Sequence, residues 1–402
     1  MAKLSKFGED FLLLALRIDK HIKGYLDFYF GPEKLQIIVK NEALKSPHML
    51  LNDCKVLQKE LFIQGYDKNR ERYLEKLLIA MKTSAELLNG VDISIEDQFL
   101  KLYDVNLQPV NEEDLVKLKE EVIEAYPGPG TLEEKMKRLS AIRKVPKVKI
   151  IDLFEKALKI TKQRTKEIFI DLLPEDESIT LKLVNDNKNE VKWSYYEWYL
   201  GNFNSRLDIN PNYDIFWTSF LLVAAHEGYP GHHTEFAVKE MMLYHKLNQF
   251  EHSILLVHSP RLIISEGIAD TAINILFDYR EQAEISLQQL CPTLSEDDST
   301  DIITAQNKVR GKMTLFLYNF AYHALIDEWS EEKLIQYGRK FEIYNNENLH
   351  NQLKMISNPV YSKNAFMYNI GKNLILEKYG RFPKVKHFRD LLVNPVLPSD
   401  LV

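Results

Sequence analysis

The segment from Phe216 to Ala225 is apolar almost all round, and it runs directly into His226-Glu227-Gly228-Tyr229-Pro230-Gly231-His232-His233. A helix that is apolar on every side belongs in the interior. Imidazole and carboxylate groups at the end of such a helix cost free energy unless they are paired or coordinate a metal. Whatever this chain folds into must therefore cover that helix completely and bring polar partners or an ion to its end.

The usual zinc-peptidase helix carries His-Glu-x-x-His, with the two histidines one turn apart and the Glu as general base. Here the residue four after His226 is Pro230, and the next histidines are His232 and His233. On an unbroken helix a six-residue step rises about 9 Å and rotates about 240°, so two such rings miss a common ion. Pro230 breaks the helix, because it has no N–H for the carbonyl of His226 and its ring clashes there. Gly231 adds backbone freedom. A local bulge of two residues brings His232 to the ligand position, whereas His233 needs a larger detour. His232 is the expected second ligand and His233 the alternative.

A third ligand is expected from another helix. Ser259-Pro260 starts one, with Ser as N-cap and Pro at the first position. Glu266 on it lies among Leu262, Ile263, Ile264, Ile268 and Ile273, so it faces inward. Asp270 is one turn further on the same face, placed to accept the free ring N–H of a ligand histidine. His226, His232 and Glu266 with an open fourth position match the hydrolytic zinc arrangement, one Zn2+ per chain. Glu227 projects about 100° away from His226 on the helix. It is badly placed to share the ion and well placed to take a proton from water.

The rest of the chain is expected to be mainly α. Apolar stripes at helical spacing run through Phe11, Leu14 and Ile18, through Asn69 to Leu88, and through Lys149 to Leu172. They read as core packing. Tyr126-Pro127-Gly128-Pro129-Gly130 is the strongest break, and Thr131 to Glu134 forms a capping box that restarts a helix. A region 1–130 and a catalytic region 131–402 are expected on either side, within one integrated domain. Alternation from Ile179 to Leu183 and again from Val191 to Tyr195 predicts a hairpin, and Ser205 to Ile209 a further strand whose edge could pair with an extended peptide. Trp193, Tyr195, Tyr196 and Trp198 are expected to pack on this sheet. Arg310 and Lys312 read as a solvated face, with binding of a substrate carboxylate by either as the alternative, and His245, His252 and His258 as surface or structural.

The net charge of −6 argues against nucleic acid as a partner. Only two cysteines, Cys54 and Cys291, occur in 402 residues, which fits a reducing compartment. The apolar run Phe11 to Leu16 is too short to span a membrane. A cytoplasmic protein is expected, with no membrane partner.

HEGYPGHH followed by SEGIAD resembles the HEAYPGHH and SEGWA signatures of domain-of-unknown-function family 885, bacterial predicted zinc peptidases. The stretch Tyr25 to Pro32 is similar as well, as are His323 before Glu328-Trp329-Ser330 and Tyr368-Asn369-Ile370-Gly371. Ile268 stands where that family has Trp, and its Glu-Arg pair is not visible around His350 to Pro359. The resemblance implies a zincin-like helical metallopeptidase fold of the Glu-ligand type, with a small β-sheet edging an active-site groove. It also points to Tyr368 and His323 as donors to a developing oxyanion. The expected function is hydrolysis of short peptides. Hydrolysis of a non-peptide amide or ester is the alternative within enzymes, and a non-catalytic metal-stabilised scaffold the alternative outside them.

Overall fold

The computed structural model describes residues 4–184, 193–357 and 363–402, except for the side chains of Asn364, Ala365 and Tyr368. The chain is mainly helical, with a two-stranded and a three-stranded sheet. Its axis is the helix Pro260–Leu276, which is buried at thirteen positions spread around its circumference. Neighbours must therefore cover it all round. Leu262 and Ile263 join a core with Phe99, Leu102, Phe316 and Phe320. Ile264, Ile268 and Ala272 join another with Phe154, Leu158, Trp217 and Phe220. Each fully buried Ile or Leu contributes about 1.5–3 kcal/mol, which holds the helix bearing Glu266 in place. Ser259 occupies the N-cap position with Pro260 after it, but its hydroxyl donates to the carbonyl of Leu256 at 2.7 Å instead of capping a helix N–H.

The closest approach to this axis is made by the helix Asn364–Tyr379. Gly267 and Gly371 meet where the two cross, and a Cβ on either would run into the backbone of the other helix. Glycine at both positions lets the backbones touch.

The three stripes found in the sequence form Lys6–Asp19, Lys68–Leu88 and Ile150–Ile168. The first two pack with Pro47–Leu61 around a third core, which Phe250, Ile254 and Leu256 also enter. Strand β1, Leu26–Tyr29, pairs antiparallel with Ile254–Leu256 much later in the chain. Arg70 grips Glu251 through two hydrogen bonds of 2.7 and 2.8 Å. The helices Ile95–Tyr103 and Glu112–Ala125 share their core with Thr300–Leu325. Residues before and after Tyr126–Gly130 thus bury the same surfaces. The capping box of Thr131 and Glu134 starts the helix Leu132–Arg143. No described helix is long and apolar enough to cross a membrane.

The expected hairpin is corrected. Strand β2, Ser178–Leu183, does not pair with β3, Tyr195–Gly201. Strand β4, Asn204–Ile209, lies between them, parallel to β2 and antiparallel to β3. The tight turn falls at Gly201-Asn202-Phe203, where Asn202 and Phe203 take φ values of 52° and 61°. Buried Glu240 secures it, accepting the backbone N–H of Asn202 at 3.0 Å and of Phe203 at 3.2 Å, and the Tyr199 hydroxyl. The expected turn at 185–189 and the start of the expected strand at Val191 lie outside the described residues. Because β4 is central, it has no edge to offer a peptide; β3 lies at the edge of this sheet.

Candidate metal centre

The apolar segment enters as a 3-10 turn, Trp217–Ser219, continues as an α-turn, Phe220–Val223, and widens to a π-turn over Ala224–Gly228. The N–H of Tyr229 reaches back five residues to the carbonyl of Ala224, at 3.0 Å. The N–H of Gly231 reaches back six, to Ala225, at 2.9 Å. Pro230 has no N–H to contribute, and the two residues added to the ordinary four-residue step give it room. Helix geometry resumes at His232–Lys239. Gly231 is required at this wrap, because a Cβ there would collide with the carbonyl oxygens of His226 and Ala225.

This path brings His226, His232 and Glu266 together, with one ligand atom from each lying within 4.8 Å of the others. The Nε2 atoms of His226 and His232 are each 3.8 Å from a different oxygen of Glu266. Both Nδ1 atoms are already engaged, that of His226 with Asp270 at 3.1 Å and that of His232 with Ser265 at 3.1 Å. The Ser265 hydroxyl donates onward to Glu235 at 2.6 Å, and Lys239 closes the chain on Glu235 at 2.7 Å. With each Nδ1 engaged, each Nε2 is the ring nitrogen left facing the space they share. The buried Oε2 of Glu266 has no hydrogen-bond partner among the described residues.

Electrostatics fit a cation. Burial opposes a charge on His226, but its hydrogen bond to Asp270 and the charges of Glu227, Asp270 and Glu266 prevail and push its pKa up to about 10, so a cation bound at Nε2 would take the place of a proton there. Burial pushes Glu266 up to about 8, with His226 opposing and Asp270 and Glu227 adding to the rise. Too many carboxylates face too little positive charge, a deficit that a divalent ion removes. His232 is held well below its usual range by burial and by the charge of His226, which keeps it in the neutral form a metal needs. Two imidazoles and one carboxylate suit zinc.

Comparison with known proteins adds a fold. No family model matches the chain, and no curated protein matches it. A crystal structure described as "the putative lipoprotein from Colwellia psychrerythraea" superposes with a TM-score of 0.52 at 13% identity, over 92% of this chain and 68% of that one. A second, "a putative lipoprotein of unknown function from Shewanella oneidensis", gives 0.46 at 11% identity, over 90% and 76%. At that identity the first likeness is one of fold alone.

The remaining site expectations separate. Glu227 is beside His226 and half-buried. Burial raises its pKa, His226 opposes, and Asp27 and Asp270 add to the rise. His233 turns away to a separate cluster. Its Nδ1 meets Ser205 at 2.7 Å and its Nε2 meets Glu177 at 3.0 Å, while Lys162 also grips Glu177 at 2.6 Å. His323 stacks on Trp329 with centroids 3.9 Å apart and bonds Asp327 at 2.6 Å, and neither partner belongs to the metal group. Tyr368 lies on the helix Asn364–Tyr379, with its side chain outside the described part.

His252 is buried against Tyr73, His258 bonds Ser84 at 3.2 Å, and His245 bonds Glu240 at 3.1 Å, all structural placements. Lys312 pairs with Glu121. Arg310 departs from the expected solvated face, since it is half-buried and donates to the carbonyl of Thr218 at 3.1 Å. Tyr196 packs on Trp198, as expected of sheet aromatics, with centroids 4.6 Å apart.

Sequence reasoning missed Ser265, Glu235 and Asp27. Glu235 falls three residues after His232 and Ser265 directly before Glu266, so their spacing carried a signal. Asp27, on β1, accepts from the Tyr196 hydroxyl. Nothing in its local sequence ties it to a motif two hundred residues away.

Proposed function

We propose that this protein is a zinc-dependent peptidase acting on short peptides, with His226, His232 and Glu266 as metal ligands and Glu227 as general base. The observation that carries the reading is the convergence of two Nε2 atoms and a carboxylate oxygen without a hydrogen-bond partner among the described residues, with Glu227 next in sequence to the first ligand. Zinc bound by these residues supplies Lewis acidity toward a carbonyl and lowers the pKa of water to about 7. Glu227 takes the proton from the attacking water and passes it to the leaving amine. Its raised pKa matches that task, since a base works best when its pKa approaches the working pH. Asp270 and Ser265 hold the two rings in the ligating tautomer. Strand β3, whose Tyr195 and Tyr196 feel the charge of Glu227, is the sheet edge suited to an extended substrate. The similarity of HEGYPGHH and SEGIAD to family 885 supports the same chemistry.

The test is Glu227→Gln. The amide has nearly the same shape and cannot accept a proton. The variant is expected to keep fold and zinc while losing a factor of about a hundred or more in peptide turnover. Loss of zinc with the activity would make Glu227 a ligand, and full turnover would move the chemistry elsewhere.

A further inference from the structure

A cavity of about 950 Å³ lies among the helices Thr300–Leu325, Asn364–Tyr379 and Pro260–Leu276. One of its walls is shared with the metal centre: Asp270 lines it and also holds Nδ1 of His226 at 3.1 Å. Of the six basic residues that line it, Lys117 and Lys312 pair with Asp114 and Glu121, Lys308 and Arg381 are exposed, and Arg310 and Lys372 are half-buried. Arg310 donates through Nη1 to the carbonyl of Thr218 at 3.1 Å, and Lys372 donates to the carbonyl of Gly311 at 2.9 Å. Among the described residues neither has a carboxylate within ion-pair distance. A guanidinium carries five N–H donors, and the Thr218 bond uses one. Burial pulls the pKa of both groups down, which marks the cost of keeping them charged there.

Gly311 lies where the Lys372 side chain crosses its neighbouring helix. The Lys372 ammonium lies directly over Gly311, in space that a Cβ at that position would share, so the lysine crosses the Thr300–Leu325 helix there. Cations desolvated without an anion are expensive unless a ligand completes them. The two half-buried cations share this cavity with the apolar side chains of Leu222, Ile273, Leu315 and Ile370. One negative charge on an apolar body is the chemistry of a peptide's last residue.

We propose that the cavity receives the C-terminal residue of a peptide, with Arg310 and Lys372 binding its free carboxylate and the apolar wall its side chain. The peptide chemistry rests on the peptidase reading above, whereas the carboxylate site rests on the two cations. No covalent step is involved, since the cavity holds and orients.

The experiment is a calorimetric titration of the full-length Glu227→Gln chain, so that nothing is consumed. The probes are acetyl-leucyl-leucine and the C-terminal amide of the same peptide, and zinc content is measured on the same sample. The free acid is expected to saturate the protein and to bind at least about tenfold more tightly than the amide, the worth of a hydrogen-bonded charge. Arg310→Gln is expected to bring the acid down to the amide's level with zinc content unchanged. Lys372→Met, checked like Arg310→Gln by circular dichroism, is expected to act in the same direction, so the result does not depend on one variant folding. Equal binding of acid and amide, or no saturation by the acid, overturns the proposal. So does equal binding of acetyl-leucyl-glutamate amide, which would assign the site to acidic side chains. A zinc-free protein that still prefers the acid sinks the metallopeptidase reading alone, while a zinc-loaded protein indifferent to the carboxylate sinks this inference alone.

Discussion

His226 is held by a single acceptor, Asp270 on its Nδ1, and Asp270 is not itself one of the three candidate ligands. Asp270→Ala is therefore expected to weaken zinc affinity by about 10- to 100-fold without unfolding the chain, read by competition with a chromophoric chelator. Unchanged affinity would mean the ring orients without it. Glu177 supports a different prediction. Burial would raise its pKa, but the hydrogen bonds from His233, Lys162 and Tyr229 prevail and hold it below the ordinary Glu value of 4.5. His233 itself stays neutral through burial. A depressed carboxylate stabilises the fold fully above its unfolded pKa, and that contribution is lost as pH falls through the folded value. Denaturant midpoints are thus expected to drop below about pH 4.5 in wild type, and Glu177→Gln to flatten that part of the profile while costing stability at neutral pH. A profile unchanged by the substitution would remove Glu177 from the account.

At the scale of elements, the site depends on two backbone contacts that tolerate no side chain. The first is the six-residue wrap from Ala225 to Gly231, which turns a spacing unsuited to one ion into a converging pair. The second is the crossing of Gly267 and Gly371, which sets the helix carrying Lys372 against the helix carrying Glu266 and Asp270. Gly371→Ala forces the two helices apart. Overpacking of this kind costs about 1–3 kcal/mol or more, so a lowered thermal midpoint is expected, together with weaker zinc binding. An alanine accommodated with no change in either would show that the helices do not meet as described. Elements were legible unevenly. The apolar periods marked the helices and the period of two marked β2 and β4, but β3 begins at Tyr195, where the expected strand ended, and strand partners were not written in either. Alternation says which face is buried, and it was Glu240, from a later helix, that clamped the turn joining β3 to β4.

At the scale of the whole molecule, segments far apart in sequence close over one axis. Arg70, on an N-terminal helix, neutralises Glu251, whose side chain is fully buried just before the strand that pairs with β1. Removing one partner of a buried pair leaves an uncompensated charge and costs about 3–5 kcal/mol. Arg70→Ala is expected to lose stability of that order and to unfold in one transition with the metal site, followed by circular dichroism and zinc release together. Zinc release well after loss of helix signal would show that the N-terminal helices form a separate unit.

The sequence by itself determined the local chemistry. An apolar run ending in His226-Glu227, a proline that forbids an ordinary helix, and an inward Glu266 with Asp270 one turn on are consequences of residue type and spacing, and they need no partner to be read. The choice of His232 over His233 was weighed by backbone geometry alone. Tertiary structure decided what depends on distant groups meeting. Ser265 and Glu235 support His232, Glu177 and Ser205 draw His233 away, and Asp27 arrives beside Glu227 from β1. Arg310, read as solvated from its helix, faces a cavity that exists only because three helices leave space between them. The physical reason is the same in each case. Propensity, capping and periodicity act within a few residues along the chain, whereas burial, charge and cavity shape are set by whichever surfaces the packed chain brings into contact.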